Sequence, residues 1–325
     1  MTEYTLNYII RTPKLHKGDH YAIQQNPLLG NITYEFDGDA LRSNGLNNVS
    51  FCFFVRWNEG YTAGPIDEHI WIKKELVVNE AKTVSTKDPH FDEALLASEP
   101  LETMRKRTEL FERLGLSLSY TVMQKIPTSP LPADTAKLFI DIEYSDGELI
   151  KKILTYAELK EKLVEYTGRS LVMGKELKYY ETELEKILSV DRSRTSAPFP
   201  GDCDMLLYGD DFSCKAIAEF KKRTSFGASV AIKDQSIMRY LAHDRLKYTR
   251  LNILRSYIEE KVGHSIPLLT VFYSTADDSD INKIKIEAVN RDISSGKSVY
   301  FALPSENSIG DNHAELLRQV LGFTE

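Results

Sequence analysis

No stretch of this 325-residue chain is apolar over the roughly 20 residues that a membrane-spanning helix needs, so no membrane partner is expected. The N-terminal MTEYTLNYIIRTPKLHKG lacks a basic stretch followed by an apolar one, so no secretory signal is read and the cytoplasm is the expected compartment. Cysteine is scarce. Cys52, Cys203 and Cys214 are odd in number and lack metal-ligand spacing, so they read as free thiols. No internal repeat or low-complexity tract is present. Positive charge is in deficit, with a net charge of −7, which at first argues against a nucleic-acid partner.

What is present fits an ordinary globular chain of about two domains, with 42% hydrophobic and 27% charged residues. The charge is unevenly placed. Between Lys215 and Arg255 there are ten basic residues against three acids. A basic segment on an acidic protein can be a phosphate-binding footprint; a solvated helix face is the competing explanation.

Residues 1 to about 85 read as β-rich. Tyr4–Ile10, Ile32–Phe36, Val49–Trp57 and His69–Val78 are rich in β-branched and aromatic residues, with Gly and Asp turn signals between them. Phe51, Phe53 and Val55 alternate with Cys52 and Phe54, which suits a strand buried on both faces. Residues 88–126 turn helical, with Gly115 as a stop. Three prolines within Pro127–Pro132 mark a linker. The expected division is therefore 1–130, a β-rich domain with a helical segment, and 135–325.

The second part opens with a strand, Lys137–Tyr144. A capping-box pattern at Thr155 and Glu158 then starts a helix through Tyr166. A further helix, Lys175–Leu188, carries Leu177, Leu184 and Leu188 in one stripe, with Glu181 on the same face. Next comes PGDCDMLLYGDDFSCKAIAEFKKR, from Pro200 to Arg223. Two apolar runs flank a Gly209–Asp211 turn and read as a hairpin. Alternate residues share a strand face, so Glu219 and Lys221 project together and Phe220 projects opposite. The hairpin carries Asp204 to the same neighbourhood. Such paired carboxylates suit a hard divalent cation. A helix is expected from Asp234 to about Lys261, with Ile237, Leu241, Tyr248, Leu251, Leu254 and Ile258 as its core stripe. Gln235, Arg239, His243 and Lys247 recur every fourth residue on another face. Strands at Pro267–Ser274, Lys283–Val289 and Ser298–Leu303 and a helix at Asp311–Leu321 complete the chain.

At Asp204, Glu219 and Lys221 the chain resembles the PD-(D/E)xK nuclease superfamily. The resemblance spans about residues 175–275 and departs at Pro200-Gly201-Asp202, where the family has an adjacent Pro-Asp. It implies an α/β fold, α+β overall, with a restriction-endonuclease-like mixed sheet flanked by helices, preceded by the β-rich domain. It implies a metal-dependent nuclease, expected to be a DNA endonuclease and fitting bacterial antiphage defence. Catalytic residues would be Asp204, Glu219 and Lys221. Mg²⁺ or Mn²⁺ would sit on Asp204 and Glu219, with Glu181 as a third carboxylate. Arg223, Gln235, Arg239, His243 and Lys247 would hold the substrate backbone. The N-terminal domain could serve substrate recognition, a partner protein or a homo-oligomer. Two alternatives stand beside this reading. One is a nuclease-like module that binds nucleic acid or protein without cutting. The other is a DEDD-type exonuclease, suggested by Asp141-Ile-Glu143 but lacking the later aspartate near His313.

Overall fold

The computed structural model describes residues 41, 43–57, 63–76, 95–96, 99–124, 134–135, 137–167, 184, 188, 200–223, 230–274, 280, 283–302 and 309–324. Ten strands and four α-helices are found among them, a mixed α+β architecture. The chain divides into two compact units. One holds the described residues of 51–201, the other those of 32–50 and 202–325. The expected strands at Tyr4–Ile10 and Ile32–Phe36 and the proline-rich linker lie outside the described residues. So do Leu177, Glu181 and the charged loop Asp191–Phe199.

In the first unit the strand order is β1-β2-β3-β4-β5. β1 is Leu46–Trp57, of which this unit takes residues from Phe51 onward, and β2 is Ala63–Leu76. They run antiparallel, with Cys52 opposite Trp71. Helix α1, Leu101–Arg113, follows, then β3, Ser117–Gln124, parallel to β2. Gly115, at φ 71°, ends this helix as expected, and the helical reading beyond it is corrected: Leu118, Tyr120 and Val122 continue as a buried strand. β4, Lys137–Ser145, and β5, Glu148–Thr155, pair antiparallel beyond β3. β4 and β5 therefore share a unit with β2 and β3, which stand on the other side of the proline-rich run in the sequence. Helix α2, Tyr156–Thr167, starts at the expected capping box: Glu158 accepts from the Thr155 amide at 2.7 Å, and the Glu158 amide donates to Thr155 Oγ1 at 3.2 Å. β1 is buried on both faces. Phe51 meets Phe111 of α1 at 4.9 Å between ring centroids, and Phe54 meets Tyr166 of α2 at 5.0 Å. Leu184 and Leu188 also pack in this core.

The second unit has the order β10-β9-β8-β7-β6, with the first residues of β1 beside β6. β6, Gly201–Gly209, and β7, Cys214–Arg223, form the expected hairpin, closed by the Gly209 amide donating to the Ser213 carbonyl at 2.9 Å. Helix α3, Leu241–Val262, carries the chain over to β8, Leu268–Ser274, which runs parallel to β7. β9, Lys283–Val289, and β10, Ser295–Ala302, add antiparallel, and helix α4, Ile309–Leu321, follows. Strand parity sorts the two faces. Met205, Leu207, Ala218, Phe220, Leu269 and Val271 pack in one core with Leu316, Leu317 and Val320 of α4. The alternate residues, Leu206, Ile217, Glu219 and Thr270, belong to the other face. There the Tyr248 hydroxyl of α3 meets Thr270 Oγ1 at 3.1 Å.

The helix expected from Asp234 starts instead at Leu241. Buried Glu287 of β9 accepts from the Ser236 hydroxyl at 3.0 Å and from the Ile237 amide at 2.9 Å. These bonds hold Gln235 and Ser236 extended between two short 3-10 turns, Ile232–Asp234 and Ile237–Arg239. Within α3, Tyr248, Leu251, Leu254 and Ile258 are buried as expected, and Gly263 terminates it at φ 76°. A Cβ at Gly263 would meet nothing within 4 Å, so backbone strain alone should act. Gly263→Ala is expected to lose about 1 kcal/mol of stability by urea denaturation. An unchanged midpoint would contradict the left-handed cap.

Candidate functional site

The hairpin register sets Met205 opposite Ala218. One step further along, Asp204 faces Glu219, and the Phe220 amide donates to Asp204 Oδ2 at 2.7 Å. Antiparallel pairing fixes both carboxylates on the α3 face, since Phe220 and Met205 point into the core with α4. Glu219 is 1% exposed and Asp204 5%. Charges taken so far from water require close partners.

Those partners are two lysines. Lys221 Nζ lies 2.8 Å from Glu219 Oε1 and 2.7 Å from Asp244 Oδ2. The Tyr240 and Tyr248 ring centroids stand 5.6 and 5.7 Å from it, within cation–π reach. Lys247, one turn along α3 from Asp244, reaches Glu219 Oε1 at 2.6 Å, Asp202 Oδ2 at 2.8 Å and Asp204 Oδ1 at 3.6 Å. The side chains grade from floor to rim: Glu219 and Asp204 are buried, Lys221 is 13% exposed, Lys247 25% and Asp202 48%. Four carboxylates meet two ammonium groups here, with Arg250 close enough to Asp202 to act on it. Glu219 Oε2 is buried and has no hydrogen-bond partner among the described residues.

The electrostatics follow from this crowding. Burial works against the Lys221 charge, but Glu219, Tyr248 and Asp244 together outweigh it, so the pKa is raised. Lys247 behaves alike: burial opposes its charge, and Asp202, Asp204 and Glu219 together hold its pKa well above the ordinary value. Both remain ammonium ions at neutral pH. Burial, reinforced by Glu219, raises the Tyr248 phenol. The three cysteines are thiols, as expected, and all three are buried. Burial raises Cys203 strongly and pushes Cys214 up to about 12, which makes both poor nucleophiles.

The remaining expected site residues are dispersed. Arg223 is buried beside Asp280, its Nη1 3.8 Å from Oδ2. Gln235 and Arg239 sit in the segment of 3-10 turns, not on α3, so the expected four-residue helical row is broken. Gln235 is buried and reaches the cluster indirectly, by accepting from the Tyr240 hydroxyl at 3.0 Å. Arg239 and His243 are exposed. Lys247 stands inside the carboxylate cluster rather than along a row that would grip substrate. Asp202, set aside in the motif in favour of Asp204, joins the site. Asp244, Tyr240 and Tyr248 were not anticipated; the three-residue spacing of Asp244 and Lys247 on a helix was the available signal. In the other unit, Asp141 is committed to Lys162 and to Thr121, whose Oγ1 donates at 3.2 Å, while Glu143 is exposed.

Among the described residues no group of three His, Cys, Asp or Glu side chains is arranged to hold a metal ion. No described helix is long and apolar enough to cross a membrane. No family model matches the chain, and no curated protein matches it. A crystal structure of the sex pheromone staph-cAM373 precursor aligns over 91% of this chain and 96% of its own, at 10% identity and a TM-score of 0.18. That likeness is too slight to carry an argument about fold or activity.

A raised lysine pKa has a defined consequence for stability. The folded state holds these protons more tightly than the unfolded chain, whose lysines titrate near 10.5. The contribution of Lys221 and Lys247 is therefore complete below that pH and is lost as pH rises above it. Urea midpoints from pH 8 to 12 should fall more steeply above about pH 10.5 in the wild type than in Lys247→Met. Parallel curves would show that Lys247 does not hold its proton against these carboxylates.

Proposed function

We propose that Asp204, Glu219 and Lys221 are the catalytic residues of a metal-dependent nuclease that hydrolyses phosphodiester bonds, with DNA as substrate. The observation that carries this reading is the meeting of the three side chains, with Asp204 facing Glu219 across the hairpin and Lys221 Nζ 2.8 Å from Glu219. The buried Glu219 Oε2, which has no hydrogen-bond partner among the described residues, and the excess of carboxylates suit an added cation. Asp204 and Glu219, with the Phe220 carbonyl, would hold Mg²⁺ or Mn²⁺. Such an ion activates water and offsets charge on a phosphate. Lys247 would have to leave its contacts with these carboxylates to make room. Lys221, kept protonated by Glu219, serves as fixed positive charge toward the phosphate rather than as a general base. Lys247, once displaced, is placed to meet the backbone of the nucleic acid.

The restriction-endonuclease-like fold belongs to the same proposal. A hairpin followed by a helix and a strand parallel to its second arm, β6-β7-α3-β8, supports it. A role in bacterial antiphage defence follows from the resemblance alone.

The second reading, a nuclease-like module that binds without cutting, is favoured by one observation: both lysines already engage the carboxylates that a metal would need. A plasmid-cleavage assay with Mg²⁺, Mn²⁺ or EDTA separates the two. Metal-dependent cutting should fall by about 100-fold or more in Asp204→Ala and in Lys221→Ala. Equal cutting by all three proteins would reject these residues. No cutting by wild-type protein that still binds DNA would favour the second reading.

A further inference from the structure

The sheet of the second unit ends on β10, which pairs with β9 alone among the described residues. Its outer backbone edge is therefore an open row of donors and acceptors. A bulge between Ser295 and Ser298 and the single charge of the strand, Lys297, guard its start. Lys297 turns back onto its own chain, with Nζ 5.7 Å from the Phe323 ring centroid. From Ser298 to Ala302 the strand has no charge, no proline and no bulge. Natural sheet edges are seldom left in that state unless something pairs with them.

The apolar core opens at the same place. Val299 and Phe301 pack against the core cluster that includes α4, as do Leu321 and Phe323 at the end of that helix, yet all four are only half-buried. On the opposite side of the strand Tyr300 is 43% exposed. Both the backbone ladder and the apolar layer thus stop short at one edge.

Self-pairing completes both. A two-fold axis perpendicular to the sheet sets residues of like parity opposite one another in antiparallel strands. Centred on Tyr300, it matches Ser298–Ala302 with its own copy. Tyr300 then faces the partner's Tyr300, Val299 faces the partner's Phe301, and Ser298 faces the partner's Ala302. The pairs on the core side are apolar, no like charges meet, and Lys297 lies outside the paired stretch. The outermost strand of the other unit, β5, is a contrast. Lys151 and Lys152 stand at its middle, and a self-pairing centred on either opposes like charges. We propose that β10 is a homodimer interface, where two copies of this chain join their second-unit sheets edge to edge and close the open end of each core. The inference rests on no part of the nuclease reading.

Sedimentation equilibrium of the full-length chain tests it, and should show a monomer–dimer equilibrium at concentrations up to about 100 µM. Tyr300→Lys sets two ammonium groups face to face and should weaken the dimer by about tenfold or more. Tyr300→Phe should leave it unchanged. Cysteine cross-linking reads the register, because a residue must face itself to bridge to its own copy. Under copper–phenanthroline oxidation Tyr300→Cys should give a disulfide-linked dimer, and Ser298→Cys should not. A chain that stays monomeric, as it would with a strand from residues 1–40 of the same molecule on this edge, overturns the proposal. So does a dimer that Tyr300→Lys leaves intact, or equal cross-linking of both cysteine variants. Circular dichroism confirms that each variant is folded beforehand.

Discussion

A carboxylate buried in the middle of a sheet is the constraint around which the second unit is built. Glu219 sits on β7 between β6 and β8, 1% exposed, where an unpaired charge would cost several kcal/mol. The fold meets that cost from two directions. β7 itself supplies Lys221, two residues on and therefore on the same face. α3 supplies Lys247 from above, with Asp244 fixing the far side of Lys221. One oxygen of Glu219 still has no partner among the described residues. Stability alone would favour a neutral side chain at this point, so the retained charge is better explained by a task.

The scaffold makes this clustering rigid. The hairpin fixes Asp204 against Glu219, and the parallel return through α3 sets the helix over that face of the sheet. Apolar residues of alternate parity pin the opposite face to α4. Side chains mounted on strands and on a 22-residue helix are held more closely than loop residues would be. Cys203, next to Asp204 in the chain, is kept by burial as a thiol of high pKa.

How much of this was legible depended on whether the determinant was local. The Thr155–Glu158 capping box, the Gly209 turn, the Gly263 stop and the alternation of Glu219, Phe220 and Lys221 are short-range and were readable in the chain. Burial of β1 on both faces followed from its apolar run Phe51-Cys52-Phe53-Phe54-Val55. The start of α3 was not readable, because Glu287, some fifty residues downstream, holds Ser236 and Ile237 out of the helix. β3 fell inside a stretch read as helical because Ser117–Gln124 was not separated from the helix before it, although Gly115 was already the expected stop. Lys247 was placed by helical spacing alone, which says where a side chain starts but not that its four-carbon stem reaches Asp202 and Glu219.

The central claim is that the Asp204–Glu219 pair is a cation site which Lys247 occupies by its own ammonium group. Crystals grown without divalent ions and then soaked in Mn²⁺, with data collected near the manganese absorption edge, test it most directly. The account predicts an anomalous peak bridging Asp204 and Glu219, with Lys247 Nζ withdrawn from both. Absence of that peak at saturating Mn²⁺, with Lys247 still seated on Glu219, would contradict it.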